Sequence, residues 1–270
     1  MANRSFYFAF GSNMDQAQMV RRCPSARFIA TAKLRDHQLA FVGWSEGWQG
    51  AVATVLPRKR SCAYGVVWDV STSELALLDA YEGVHGNVYF RKATVVLLAD
   101  GTTAIAWVYV KTDTREGAPS PAYHGQIREA YVSNGLPTRA LDKVPTTDDI
   151  KHVFVYGSLL RGLHNHGVIA SSRFVRRTAT KACYTMHDLG AYPAVVHGGN
   201  TSIVGELYRV TDETLVGLDR LEGHPRFYTR CVTRVRSGEY AWIYLLAEDQ
   251  VVGVPRVPGG DWARFAKGSK

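Results

Sequence analysis

Three motifs occur twice in this chain, in the same order, and that repeat limits the possible folds more than any other feature. The first is a short apolar run ending in aromatic-Gly-Ser, seen as Phe6-Tyr7-Phe8-Ala9-Phe10-Gly11-Ser12 and again as Val153-Phe154-Val155-Tyr156-Gly157-Ser158. The second runs from Gly65-Val66-Val67-Trp68-Asp69-Val70-Ser71 to Leu78-Asp79-Ala80-Tyr81-Glu82-Gly83. It returns as Gly205-Glu206-Leu207-Tyr208-Arg209-Val210-Thr211 to Leu218-Asp219-Arg220-Leu221-Glu222-Gly223. The third pairs Ala106-Trp107-Val108-Tyr109 with Ala241-Trp242-Ile243-Tyr244. Gly11 to Gly157 is 146 residues, Gly65 to Gly205 is 140 and Trp107 to Trp242 is 135, a drift that loops of unequal length produce. An ordered repeat on this scale means one folding unit used twice. The reading is two homologous domains, 1–145 and 150–270. They are joined near residues 144–151, where Val144-Pro145-Thr146-Thr147-Asp148-Asp149 has a loop composition without apolar periodicity.

The rest of the composition narrows the class. A length of 270 residues leaves room for two ordinary domains. Hydrophobic residues at 46% and charged residues at 21% exclude wholesale disorder. No run approaches the roughly 18 apolar residues of a membrane span, and Gly11-Ser12-Asn13 follows the start too closely for a secretory apolar core. A soluble, cytoplasmic protein with no membrane partner is expected. Cys23, Cys62, Cys183 and Cys231 lie far apart with no C-x-x-C pair, so reduced thiols are expected rather than a disulfide framework. Each half holds 16 Lys and Arg against 12 Asp and Glu, so the net +8 divides evenly and neither half is a basic tail. The dense spots Arg58-Lys59-Arg60 and Arg173, Arg176 and Arg177 read as solvated loops, with no nucleic-acid partner. His164-Asn165-His166 has no third ligand nearby and no counterpart in the first half, so it reads as loop histidines and not a metal site. Trp44, Trp48, Trp107 and Trp242 lie in or beside apolar runs and read as core or pocket walls.

Each repeat has the same coarse grammar. The opening run is β-branched and aromatic and stops at Gly, as a buried strand entering a tight turn does. Residues 65–70, 93–98, 104–111, 205–210, 231–235 and 241–246 read as further strands, the late ones antiparallel. Between them Ser71-Thr72-Ser73-Glu74 fits a capping box. Leu75, Leu78 and Tyr81 follow at helical spacing, and Gly83 supplies a left-handed stop. Thr211, Leu215, Leu218, Leu221 and Gly223 repeat that plan with Thr214 in place of the acid. Ile127, Ala130, Tyr131 and Leu141 predict a helical end to the first domain that the second lacks. The fold class expected is α+β.

Two motifs carry chemistry. The Gly-Ser turn is neither a Walker loop, since no Gly-Lys-Ser/Thr follows, nor a nucleophile elbow, since G-x-S-x-G is absent. It reads either as a plain strand-to-loop turn or as a cradle whose free backbone N–H groups hold a carboxylate or oxyanion. Recurrence in both copies favours the second. Asp79 with Glu82, and Asp219 with Glu222, stand three apart at a helix C-terminus. An acid there opposes the macrodipole, so stability alone would place it elsewhere. The position, with an acidic neighbour, is expected to raise the glutamate pKa into general-base range.

With these residues in view, the chain resembles the γ-glutamylcyclotransferases and their γ-glutamylamine cyclotransferase (AIG2-like) relatives. The first half resembles the former through Phe8-Ala9-Phe10-Gly11-Ser12-Asn13, Trp48-Gln49-Gly50-Ala51-Val52-Ala53-Thr54-Val55, Glu82-Gly83-Val84 with Tyr89 beyond, Pro119-Ser120-Pro121-Ala122-Tyr123 and Asn134-Gly135-Leu136-Pro137. The second half resembles the latter through Val155-Tyr156-Gly157-Ser158-Leu159-Leu160-Arg161-Gly162, Asn165-His166, Leu189-Gly190-Ala191-Tyr192-Pro193-Ala194-Val195, Glu222-Gly223 with Tyr228 beyond, and Gly260-Asp261-Trp262.

The resemblance implies a small mixed β-barrel with flanking helices in each domain, and a reaction needing no metal or cofactor. A γ-glutamyl amide folds back, its own α-amine attacks its γ-carbonyl, and 5-oxoproline leaves with a free amine or amino acid. Glu82 and Glu222 are the implied catalytic acid/bases. Phe10, Gly11, Ser12, Asn13, Tyr89 and Tyr123 in the first domain are the implied substrate-binding residues, with Tyr156, Gly157, Ser158, Leu159 and Tyr228 in the second. Phe10 stands where the family has Tyr, which removes a hydroxyl but leaves the backbone cradle. Both glutamates are present, so two active sites with different leaving groups are expected, the second taking bulkier amines. A tailoring enzyme that strips a γ-glutamyl protecting group, or a ligand sensor without turnover, would use the same residues. The sequence leaves the oligomeric state open.

Overall fold

The structure, a computed structural model, describes residues 3–268. The architecture is α+β and divides into two compact units at Thr147/Asp148.

The first unit is a closed five-stranded barrel. Its strands are β1 (Arg4–Ala9), β2 (Arg27–Ser45), β3 (Gly50–Ser71), β4 (Tyr89–Leu98) and β5 (Thr103–Lys111), in the order β1-β3-β2-β4-β5. Every pairing is antiparallel except the closing one, where β1 meets β5 in parallel at Tyr7 and Trp107. Three helices flank it: α1 (Gln16–Arg22), α2 (Thr72–Tyr81) and α3 (Pro121–Ser133). Phe8, Val66, Val67, Leu78, Ile127 and Tyr131 form part of its buried core. The second unit contains β6 (His152–Val155), β7 (Arg173–Ala179), β8 (Tyr184–Asp188), β9 (Pro193–His197), β10 (Val204–Arg209), β11 (Thr229–Arg234) and β12 (Tyr240–Leu245). Its five-stranded sheet runs β11-β12-β6-β10-β7, beside the two-stranded ribbon β8-β9. Here too the parallel contact falls on the third motif, Trp242 against Val153. The two long strands of the first unit correspond to two broken strands in the second. Gly198 (φ +99°) and Gly199 interrupt the run between β9 and β10, and residues 181–183 the run between β7 and β8.

The repeated glycines have a steric cause. A Cβ at Gly65 would lie 2.1 Å from the Ala9 carbonyl oxygen, and one at Gly205 would lie 2.2 Å from that of Val155. Only glycine lets the opening strand and its antiparallel partner approach this closely. The helix that follows is built as its sequence predicts. Ser71 Oγ accepts from the Glu74 N–H while Glu74 Oε2 accepts from the Ser71 N–H at 2.9 Å, a complete capping box. Thr211 caps α4 (Asp212–Glu222) through the Thr214 N–H alone. Gly83 and Gly223 stop the two helices with φ of +67° and +64°.

Three sequence expectations change. Arg58-Lys59-Arg60 lies within β3, and Arg173, Arg176 and Arg177 lie within β7, so both clusters are exposed strand and not loop. Charged side chains at exposed strand positions are spaced like loop residues, and composition alone does not separate the two. The second unit does end in a helix, α5 (Trp262–Gly268), with Trp262 buried. Its apolar spacing, Trp262-Phe265-Ala266, covers a single turn and so carries little periodic signal. The join contains a single 3₁₀ turn (Thr147–Asp149), and the Thr147 N–H bonds the Pro119 carbonyl. None of the four cysteines forms a disulfide among the described residues. Among the described residues no helix is long and apolar enough to cross a membrane, and no group of His, Cys, Asp or Glu has metal-ligating geometry.

Candidate active site

In each unit the opening strand, the C-terminal end of the central helix and the strand after it converge on one cavity. The first cavity, about 40 Å³, is lined by Tyr7, Phe10, Gly11, Ser12, Asn13, Ala53, Glu82, Tyr89, Tyr109 and Tyr123. Every candidate residue from that half meets there. The second, about 190 Å³, brings together Tyr156, Gly157, Ser158, Leu159, Glu222 and Tyr228 with Asn165, Tyr192, Pro193 and Tyr244. Every candidate from that half meets there too.

The Gly-Ser turn is held open by its own geometry. After β1 the chain makes a 3₁₀ turn, closed by the Met14 N–H on the Gly11 carbonyl and the Asp15 N–H on that of Ser12. This leaves the Ser12 and Asn13 amides without an intramolecular partner among the described residues. After β6 the Leu160 N–H closes on the Gly157 carbonyl, and the Ser158 and Leu159 amides are left likewise. Asn165 Nδ2 steadies the second turn by donating to Ser158 Oγ at 3.0 Å, and the ring of His166 bonds the Leu159 carbonyl through Nδ1.

The two glutamates occupy matching positions in different surroundings. Asn13 Nδ2 donates to Glu82 Oε1 at 3.1 Å and to the Tyr7 hydroxyl at 2.9 Å. Asn13 Oδ1 accepts from Arg22 Nη1 at 2.8 Å and from Gln18 Nε2 at 3.0 Å. Those four bonds exhaust the amide's capacity. Glu222 faces Leu159 where Glu82 faces Asn13, and no donor reaches its carboxylate among the described residues. Burial pushes the Glu82 carboxyl above the ordinary range, opposed by Arg22, Asn13 and Lys111. Burial alone pushes Glu222 up to about 7.

The cause of these shifts corrects one expectation. Desolvation raises both glutamates, not the neighbouring acid. Asp79 turns instead to the Tyr109 hydroxyl (2.7 Å) and Arg91 Nη1 (2.8 Å), and Arg91 lies 4.6 Å over the Trp107 ring. Asp219 accepts from the Tyr244 hydroxyl at 2.7 Å and pairs with Arg230 at 3.5 Å, and Arg230 lies 4.5 Å over Trp242. The duplicated aspartate therefore ties the helix to the strand that carries the third motif.

Tyrosines frame the remaining walls. Tyr89 donates to the Ala53 carbonyl at 3.1 Å, and Tyr228 donates to that of Pro193 at 2.9 Å. Tyr123, delivered by α3 and packed at a tilt on Trp48 with ring centroids 4.7 Å apart, accepts from the Ala53 N–H at 3.2 Å and narrows the first cavity. Proline at 193 has no N–H to offer such a bond. The Tyr156 hydroxyl, absent at Phe10, donates to the Tyr244 carbonyl at 2.6 Å and so braces β6 on β12. Tyr7, Tyr109 and Tyr244 line the cavities without having been singled out in the sequence. The tyrosine recurring in the third motif, in step with the recurring aspartate, was the available signal for two of them.

Each unit is thus an α+β domain with a half-buried carboxylate beside a strand-to-turn amide cradle. The sequence model of one family, gamma-glutamyl cyclotransferase, AIG2-like, matches residues 7–128 and 153–264, and the chain belongs to that family. A gamma-glutamylcyclotransferase of Mus musculus is 34% identical over 142 residues, 51% of this chain and 76% of that protein. A gamma-glutamylcyclotransferase family protein of Escherichia coli K12, YtfP, is 32% identical over 110 residues, 41% of this chain and 94% of its own length. A solved structure titled gamma-glutamyl cyclotransferase aligns with a TM-score of 0.52 at 31% identity, covering 54% of this chain and 90% of its own.

Proposed function

We propose that each domain is a cyclotransferase that releases 5-oxoproline from a γ-glutamyl amide by intramolecular aminolysis. The observation that carries this reading is the recurrence, in both units, of a half-buried, desolvated glutamate beside a Gly-Ser turn with unpaired amides. Such an arrangement suits a reaction whose nucleophile belongs to the substrate. Ionised Glu82 or Glu222 takes a proton from the substrate α-ammonium. The freed amine attacks the γ-carbonyl carbon and forms the ring C–N bond. The backbone amides at Ser12 and Asn13, or Ser158 and Leu159, stabilise the oxyanion that develops. The protonated glutamate then gives its proton to the leaving nitrogen as the original amide bond breaks, and the regenerated carboxylate takes the second proton from the ring nitrogen and passes it to the released amine. Confinement in the ring-forming geometry lowers the entropic part of the barrier. Asn13 positions Glu82 in the first site, while the second leaves Glu222 with desolvation alone. The wider second cavity suits the bulkier leaving group.

The test is 5-oxoproline release from γ-glutamyl-alanine and from a γ-glutamyl-amine by the wild type, Glu82→Gln, Glu222→Gln and the double variant. The double variant is expected to lose activity by a factor of at least about 100, the lower range for general acid–base catalysis. Full activity in the double variant sinks the mechanism. Tight binding with no turnover in the wild type favours a sensor.

A further inference from the structure

One buried cation near the first site has no role in the chemistry above. Lys111 closes β5, is only 8% exposed, and its ammonium makes no hydrogen bond or ion pair among the described residues. The nearest acid is already engaged, since Asp113 accepts from the Arg115 side chain through both carboxylate oxygens, at 2.9 and 3.0 Å. What the ammonium does have is the face of Tyr89, whose ring centroid is 4.9 Å away. Lys111 and Tyr89 are cross-strand partners, and Lys111 stands two residues beyond Tyr109 on the same strand. Cross-strand partners and residues two apart share a face of the sheet. Tyr89 and Tyr109 both line the cavity, so Lys111 projects to the same side, one layer further out.

The second unit makes the contrast. The third motif fixes the correspondence: Trp107 with Trp242, Tyr109 with Tyr244, and hence Lys111 with Leu246. A residue that recognised the glutamyl part would be needed in both sites, as the Gly-Ser turn, the glutamate and Tyr89 or Tyr228 are. A cation present in one site and replaced by leucine in the other belongs to the part of the substrate that differs, which is the leaving group. We propose that Lys111 reads the carboxylate of a leaving amino acid. This makes the first site selective for γ-glutamyl amino acids and leaves the second, with Leu246, to γ-glutamyl amines. The assignment rests on the cyclotransferase reading.

The test isolates the first site in a Glu222→Gln parent. It compares kcat/KM for γ-glutamyl-alanine with that for γ-glutamyl-ethylamide, which has no leaving carboxylate. Adding Lys111→Met, or Lys111→Gln as a second replacement of similar length, is expected to lower the alanine-to-ethylamide ratio roughly ten- to hundredfold, mainly through KM. The ratio is internal to each preparation, so partial misfolding cancels. An unchanged ratio overturns the assignment. So does an equal fall for both substrates, because that places Lys111 on the glutamyl carboxylate or on the field at Glu82. No release from either substrate by the parent overturns the cyclotransferase reading as well.

Discussion

At the scale of single residues, the two glutamates differ in what accompanies their burial, and pH separates them. Glu222 has a carboxyl raised to about 7 by desolvation with nothing opposing it. If it acts as the base, turnover through the second site, measured in a Glu82→Gln background, rises with pH and is half-maximal near 7. The same shift affects folding. Between the ordinary 4.5 and about 7 the folded chain keeps a proton that the unfolded chain has released, so stability falls as pH rises through that window. Glu222→Gln removes this penalty. It is expected to stabilise the second unit by up to about 3 kcal/mol at pH 8 and by little at pH 4, as denaturant unfolding at the two pH values will show. In the first site Asn13 holds Glu82 instead. Asn13→Leu, which copies Leu159, removes a donor to a charged group worth roughly 1.5–3 kcal/mol. The rising limb of the first-site pH–rate profile should then move up by about one to two pH units. A profile that stays in place would show that the amide does not tune the carboxylate.

At the scale of elements, α2 and α4 deliver the glutamates, and their N-termini are built to unequal standards. Glu74 accepts from the Ser71 N–H and hydroxyl, both at 2.9 Å, and from the Ser25 N–H at 2.6 Å. Thr214 reaches the Thr211 hydroxyl alone, at 3.0 Å, among the described residues. Glu74→Ala strands two backbone donors and is expected to cost about 2–3 kcal/mol, against about 0.5 for Thr214→Ala, read from the unfolding midpoints. Both helices were legible in the sequence because caps, apolar spacing and a terminal glycine all agreed on them. The same agreement exposed Glu82 and Glu222, since an acid at a helix C-terminus conflicts with local preference. Exposed strand with charged side chains was not legible, as Arg58 to Arg60 in β3 shows, because exposure removes the alternation that marks a strand. Nor was the fate of Asp79 and Asp219. Their spacing to the glutamates is local, whereas their partners Tyr109 and Tyr244 arrive through long-range pairing.

At the scale of the whole molecule, duplication supplies the remaining prediction. Every residue that lines the first cavity falls before the division at Thr147/Asp148, and every residue that lines the second falls after it. The repeat in the sequence made this organisation legible, but it could not show that the copies had diverged where the chemistry is fixed. Leu159 replaces Asn13, Pro193 replaces Ala53 and Leu246 replaces Lys111, while the turn, the glutamate and its tyrosine persist. On the proposed reading, two sites built on the same turn, glutamate and tyrosine with altered surroundings are expected to turn over in parallel and independently. Sites that share no lining residue contribute additively. The rate of the wild type on any one γ-glutamyl substrate should therefore equal the sum of the rates of Glu82→Gln and Glu222→Gln, within the residual of the double variant. Glu82→Gln should lose the larger part of the activity on γ-glutamyl-alanine, and Glu222→Gln the larger part on γ-glutamyl-amines. A wild-type rate well above the sum would mean that the copies assist one another. A single variant that abolishes release from both substrates would mean that only one copy turns over.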